Sequence, residues 1–161
     1  LPHIAPKRYF DLYPPENVSL PPSPRAPRGA PAFAWNKCGE WLAYPDVRNK
    51  TSAMGFGKGQ PVDDEYARQQ RRAYFAAASF ADAQVGRVLD AVEDAGLSNR
   101  TVVVLFGDHG WHLGDNNEWA KHTAMTRANR APKAAPAYRY PMAQWRGEEA
   151  ISSIERLSAD V

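Results

Sequence analysis

The chain has very little cysteine: Cys38 is the only one among 161 residues. A single cysteine excludes an internal disulfide and a metal cluster built from cysteines alone. No apolar run approaches the roughly 18 residues that a membrane-spanning helix needs, and the basic, apolar and small-residue order of a signal peptide is missing. The formal net charge of +2 is too small to predict a nucleic-acid-binding surface. Because Leu1 is not a methionine, we expect further sequence upstream of it.

Three triplets fit the acceptor pattern for N-glycosylation. They begin at Asn17, Asn49 and Asn99, and none has proline in the middle. Each lies in a polar or turn-like setting, although coincidence stays open as an alternative. The triplets favour a protein of the secretory pathway, lysosomal or extracellular.

Residues 1–62 are rich in proline, and eleven of the 14 prolines lie there. Proline breaks helices and removes strand hydrogen-bond donors. Aromatic residues are interspersed through the same region, whereas a disordered linker carries few. We predict a long, loop-rich excursion that its aromatic side chains attach to a domain surface.

A strong helix signal follows, from residue 63 to residue 95. Asp63 or Asp64 can cap its first turn, and Gly96 is placed to end it as a left-handed cap. Arg71 and Arg72 are expected on its solvated face. The apolar stripe expected to face a sheet consists of Tyr74, Phe75, Ala78, Ala81, Val85, Val88, Leu89 and Val92.

The apolar run Thr101 to Phe106 is typical of a strand buried on both faces. Together with the preceding helix it forms half of a βαβ unit, which predicts an α/β fold with a largely parallel sheet. Asp108 and His109 follow at the carboxyl end of this strand, the edge at which α/β sheets bind ligands. A carboxylate and an imidazole there can hold a divalent cation.

Residues 124–161 have a different character. They mix arginine, alanine and proline with no helical or strand period until a short apolar pattern near the end. That pattern offers too little apolar surface to stabilise a helix alone. We predict a divergent tail that is poorly ordered or loosely docked.

Several motifs in this order resemble the sulfatase family of the alkaline-phosphatase-like superfamily. They are Asp82-Ala83-Gln84-Val85-Gly86-Arg87-Val88-Leu89, Asn99 to Val104, and Gly107-Asp108-His109-Gly110. Pro2-His3-Ile4 and the run from Trp111 to Lys121 are similar to the iduronate-2-sulfatase branch. The resemblance covers residues 1–123 and implies part of a three-layer α/β/α catalytic domain.

The resemblance implies hydrolysis of sulfate esters, with a sulfated polysaccharide or glycosaminoglycan as substrate. It implies Ca²⁺ held by Asp108 and His109, and contacts from Lys121 and His3 to the sulfate group. It also implies a formylglycine nucleophile, made from a cysteine in Cys-x-Pro-Ser-Arg, whose hydrate attacks sulfur. Trp111 and Trp119 are expected to pack rather than stack on a sugar, and His112 and His122 to lie behind the site or in solvent.

The chain departs from the family pattern at several points, two of which concern catalysis. Cys38 lies in Asn-Lys-Cys-Gly-Glu, so the formylglycine sequence is absent, and the paired aspartates that complete the calcium site are also missing. Asp63-Asp64 is interpreted as a helix cap, not as that pair. We therefore expect these 161 residues alone to be inactive. A catalytically inactive fragment and a phosphatase or phosphonate hydrolase of the same superfamily remain alternatives, and Lys121 favours the sulfatase. The sequence does not predict an oligomeric state.

Overall fold

The computed structural model describes residues 3–31, 34, 41, 44, 62–121 and 123. The chain divides into two compact units, one from Leu1–Ala77 with Phe106–Lys133 and one from Ala78–Leu105 with Ala134–Val161. The predictions for Cys38, Asn49, His122 and the tail after residue 123 lie outside the described residues. The elements in chain order are helix α1 (Lys7–Phe10), a 3-10 turn (Pro15–Asn17), helix α2 (Asp64–Asp94), a 3-10 turn (Ser98–Arg100), strand β1 (His112–Leu113), a 3-10 turn (Asp115–Asn117) and strand β2 (Trp119–Ala120).

Helix α2 begins and ends as its sequence predicts. The Asp63 carboxylate accepts a hydrogen bond of 3.0 Å from the backbone N–H of Tyr66, which satisfies a donor that the helix itself cannot. At the other end Gly96 adopts a left-handed φ of 66°. The backbone N–H of Leu97 then reaches the carbonyl of Val92 at 3.0 Å, which closes a Schellman motif. In the described part of the chain, no helix combines the length and apolarity needed to cross a bilayer.

Strands β1 and β2 form a small antiparallel hairpin. Its register pairs His112 with Ala120 and Leu113 with Trp119. Gly114 starts the connecting loop at a φ of 103°, a conformation that side chains oppose. A hydrogen bond of 2.9 Å from the Gly114 N–H to the Glu118 carbonyl closes the loop.

An aromatic core holds this hairpin in the first unit. Trp119 stacks on Trp41 with ring centroids 4.7 Å apart, and Trp41 stacks in turn on Tyr66 at 6.2 Å. The buried cluster consists of Trp41, Val62, Tyr66, Ala67, Trp119 and Ala120. The prediction that aromatic residues attach the N-terminal excursion is confirmed for Trp41, and Tyr13 likewise packs on Phe75 at 5.5 Å.

The sequence predicts Arg71 and Arg72 on a solvated face of α2, and this prediction is wrong. Arg71 is 9% exposed and donates a hydrogen bond of 3.0 Å to the Leu113 carbonyl. Arg72 donates to the carbonyls of Tyr13 and Phe10, at 2.7 and 2.9 Å. These guanidinium groups supply hydrogen-bond donors to backbone carbonyls of other segments, so they connect strand β1 and the chain around α1 to helix α2.

The strand predicted at residues 101–106 does not form as a buried strand. Among the described residues the only assigned strands are β1 and β2, and Val102 to Phe106 are each more than half exposed. Part of the helical stripe is exposed as well, with Val88 at 64%. A central parallel strand owes its burial and ladder bonds to neighbouring strands and covering helices, and the described residues supply none to this segment.

Gly114 is the position in the hairpin where a side chain has no room. An added Cβ would lie 2.6 Å from the indole of Trp119 and 2.9 Å from the ring of Pro21, at a φ that disfavours alanine. We expect Gly114→Ala to lower the free energy of unfolding by about 2 kcal/mol or more. Chemical denaturation measures this change.

Gly86→Ala in α2 is the matched control, because no atom lies within 4 Å of its added Cβ. Removing a glycine from a helix interior should stabilise by about 0.5–1 kcal/mol. Equal effects of the two substitutions would contradict the packing argument.

Candidate active site

The segment after Phe106 turns at Asp108 and His109 into an exposed corner. The His109 backbone N–H donates to the Asp108 carboxylate at 3.0 Å, which turns that side chain back over the chain. The other carboxylate oxygen, Oδ2, lies 3.5 Å from Nε2 of the His109 ring. The Asp108 side chain is 80% exposed and the His109 side chain 36%, so the corner is open to ligands.

The two shortest contacts of the His109 ring favour the tautomer with the hydrogen on Nδ1. Nδ1 lies 2.9 Å from the Gly110 carbonyl, which can only accept, so Nδ1 carries the hydrogen. Nε2 lies 2.9 Å from the Lys121 ammonium, which can only donate. Both contacts are satisfied by the neutral ring with its Nε2 lone pair directed outward. This is the tautomer in which imidazole binds a metal.

The hairpin delivers Lys121 to this corner. Ala120, immediately before it, is buried and adopts a left-handed φ of 65°. For alanine this conformation costs about 1 kcal/mol, so the surrounding packing must maintain it. The reversal turns the chain out of the core at Lys121, where its ammonium meets His109.

The donor set at the corner fits part of a divalent-cation site. One carboxylate and one imidazole nitrogen 3.5 Å apart can both lie within about 2.5 Å of one cation. The Nε2 lone pair already accepts a hydrogen bond from the positively charged Lys121 ammonium. Among the described residues no group of three acidic, histidine or cysteine side chains surrounds such a position. A calcium ion, which takes about 6–8 oxygen-rich ligands, would need donors beyond Asp108 and His109.

The structure places His3 in an aromatic cage. Its ring meets the edges or faces of Trp111, Tyr74 and Tyr44 with centroids 5.1, 5.2 and 6.4 Å away. Burial lowers the pKa of His3 below its usual 6.5, and the positive amino terminus lowers it further. Burial likewise raises the pKa of Tyr74. His3 therefore contacts Trp111, which lies two residues after His109 in the chain.

Further side chains of this segment support these groups, and their contacts were not evident from the sequence. His112 is only 2% exposed, and its Nε2 lies 2.7 Å from the Thr123 hydroxyl. Trp119 packs in the core as expected, and Trp111 packs on His3 and Tyr74. The one local signal for a buried His112 was the apolar and aromatic sequence around it, from Trp111 to Leu113.

Two of the three glycosylation triplets fall in the described residues. Asn17 and Asn99 are both exposed, each within a 3-10 turn. Accessible turns suit an acceptor asparagine. The glycan assignments stay predictions.

The family model for sulfatases matches residues 8–147, and so extends beyond Thr123. The chain is 38% identical to iduronate 2-sulfatase of Homo sapiens over 134 residues, which cover 81% of this chain and 24% of that protein. It is 29% identical to a sulfatase of Formosa agariphila over 160 residues, 98% of this chain and 29% of the relative. An arylsulfatase of Clostridium perfringens is 28% identical over 127 residues, 79% of this chain and 23% of the relative.

The chain thus spans about a quarter of the length of the curated relatives it matches. The family model nonetheless covers most of these 161 residues, including the Asp108–His109 corner, the hairpin and Lys121. The resemblance first indicated by the motifs is confirmed. The chain belongs to the sulfatase family, and with it to proteins of α/β fold.

Proposed function

We propose that this chain forms part of the active site of a sulfuric ester hydrolase that acts on a sulfated polysaccharide or glycosaminoglycan. The observation that carries the proposal is the contact between the Lys121 ammonium and Nε2 of His109, beside the Asp108 carboxylate. A cation and a cation-binding corner thereby lie together on an exposed surface. The similarity to iduronate 2-sulfatases of Homo sapiens and Mus musculus supports the carbohydrate class.

Lys121 supplies positive charge to the substrate. A sulfate monoester carries a full negative charge, and more charge gathers on its oxygens as the ester bond breaks. An ammonium that hydrogen-bonds these oxygens stabilises the transition state. The proposed role of Lys121 is therefore to bind the sulfate group and strengthen that contact during reaction.

His3 acts as the second polar group in this proposal. Within its aromatic cage the ring is mostly neutral near pH 7, because burial disfavours the imidazolium. A neutral imidazole still donates one N–H and can hydrogen-bond a sulfate or leaving-group oxygen. In its protonated form it can transfer a proton to the leaving alcohol.

Asp108 and His109 are the proposed ligands of Ca²⁺. When bound, the ion would neutralise the sulfate oxygens and polarise the S–O bond. Nε2 has one lone pair, so a metal bond there and the contact with Lys121 exclude each other. Imidazole is an unusual calcium ligand, so further oxygen donors from outside the described residues belong to the proposal.

The nucleophile in this proposal comes from outside these 161 residues. Cys38 does not lie in the sequence from which formylglycine is made. The chain spans about a quarter of its relatives' length, so the proposed enzyme is larger than this chain. In its three-layer domain, residues 101–106 would lie inside a parallel sheet, which accounts for their apolar sequence. The glycosylation triplets at Asn17, Asn49 and Asn99 support a lysosomal or extracellular location.

Replacing Lys121 tests the sulfate-binding role. In the protein that contains this chain, Lys121→Ala should lower kcat/KM for an aryl sulfate about 100-fold or more, because one transition-state cation is lost. Lys7→Ala is the control, since the Lys7 side chain is 87% exposed and pairs with Asp11, just after α1.

Wild-type activity of Lys121→Ala would contradict the assignment. Faster hydrolysis of an aryl phosphate than of the aryl sulfate would favour the phosphatase alternative. The 161-residue chain alone should show no turnover, because it lacks the proposed nucleophile.

Chelation tests the cation. Removing Ca²⁺ should abolish aryl sulfate hydrolysis, and added Ca²⁺ should restore it. Asp108→Asn should weaken Ca²⁺ affinity about tenfold or more, at least as much as losing a supporting contact to a ligand does. Calorimetric titration measures the affinity, and Asp90→Asn on the exposed surface of α2 is the control. Equal affinities of the two variants would contradict the role of Asp108.

The lowered pKa of His3 predicts a pH dependence of stability. The unfolded chain takes up a proton at about pH 6.5, before the buried ring does. As pH falls below that value, the unfolded state therefore binds more protons and the folded state loses stability. Among the described residues, the rings that face His3 are those of Tyr44, Tyr74 and Trp111.

The free energy of unfolding should rise with pH through this window, and His3→Gln should remove part of that slope. Denaturation at a series of pH values compares the two chains. An NMR titration that places the pKa of His3 at or above 6.5 would contradict the prediction.

A further inference from the structure

We propose that His112 is a positioning residue that holds Lys121 over the Asp108–His109 corner through its contact with Thr123. The inference rests on the proposed function, because it assigns Lys121 the role of sulfate contact. It adds the residues that determine where this lysine lies. We call the contact between His112 and Thr123 the His112–Thr123 clasp.

The clasp connects both sides of Lys121 to one residue. On the amino-terminal side, the hairpin register pairs His112 with Ala120. On the carboxyl-terminal side, Nε2 of His112 lies 2.7 Å from the Thr123 hydroxyl. Lys121 thus lies in a short bridge whose two ends are both attached to His112.

Burial makes this attachment firm. His112 is 2% exposed, so water does not compete for its ring nitrogen, and a hydrogen bond in such surroundings is strengthened. A typical hydrogen bond of this kind contributes about 0.5–1.5 kcal/mol to stability. The strand that carries His112 is itself anchored, because Arg71 of α2 donates to the Leu113 carbonyl.

The bridge needs this restraint because its backbone is strained. Ala120 has a φ of 65°, and a chain released at Thr123 would relax toward ordinary conformations. A lysine side chain has four torsions and can adopt many conformations. Its ammonium therefore stays at the corner only if the backbone of Lys121 points toward it. Because His112 lies three residues after His109, it couples the position of the lysine to the corner itself.

Two substitutions of one residue test the clasp. Thr123→Val keeps the shape and removes the hydroxyl, whereas Thr123→Ser keeps the hydroxyl. We expect Thr123→Val to lower kcat/KM for an aryl sulfate roughly tenfold, since small misplacements of a positioned group have effects of this size or larger. Thr123→Ser should retain most of the activity. The full protein that contains this chain is assayed, and thermal unfolding confirms that each variant folds.

A double-mutant cycle separates positioning from general stability. If the clasp acts through Lys121, Thr123→Val should have no further effect on kcat/KM in a Lys121→Ala protein. An additive loss in the double variant, or wild-type activity of Thr123→Val, would overturn the inference.

Hydrogen exchange gives a readout that does not depend on the role of Lys121 in catalysis. Amides of residues 119–123 should exchange faster in Thr123→Val than in the wild type or Thr123→Ser, because the bridge opens more often. Unchanged exchange would overturn the clasp whatever the activity. Faster exchange together with full activity of Lys121→Ala would instead retain the clasp and remove the proposed sulfate contact.

Discussion

The stacking of Trp119 on Trp41 is the interaction on which the candidate site depends. Trp119 lies in strand β2, only two residues before Lys121, and its ring centroid is 4.7 Å from that of Trp41. The indole N–H of Trp41 donates to the Gln70 side chain at 2.9 Å, so the pair is attached to helix α2. Truncating a buried tryptophan typically costs about 3–5 kcal/mol, more than any single polar contact at the corner contributes. The aromatic core therefore fixes the hairpin, and the hairpin fixes the lysine.

Helix α2 contributes side-chain hydrogen-bond donors to this unit as well as an apolar surface. Arg71 and Arg72 bond to carbonyls of segments 42 and 59 residues away in sequence. A proline-rich region offers few backbone donors, so its carbonyls need partners from elsewhere. Guanidinium groups meet that need with several directed N–H groups each. Arg72 meets part of this need, because both of its carbonyl partners, Tyr13 and Phe10, lie in the N-terminal region.

The sequence predicted features whose cause is local. Asp63 caps α2 and Gly96 ends it, because a cap involves only the neighbouring three or four residues. Asp108, His109 and Lys121 were predicted as one site through family motifs, and the structure brings them together. The buried strand expected at residues 101–106 does not form among the described residues, since burial of a strand depends on its neighbours. The contacts of Arg71 and the cage around His3 were missed or misread, because their partners lie beyond any periodic pattern. The distance from His112 to Thr123 depends on the hairpin register. Strands of two residues are too short for a sequence pattern to predict that register.

The separation between local and distant causes also explains how the residues around the Asp108–His109 corner come together within this chain. Asp108, His109, His112, Lys121 and Thr123 lie within 16 consecutive positions, 108–123. Bringing them together closes only short loops, whose entropy cost is small. Trp41 and the cage around His3 are the long-range contributions. A nucleophile at the end of another strand would instead require the sheet that residues 101–106 are suited to join. The corner and its lysine therefore depend mainly on contacts that are close in sequence.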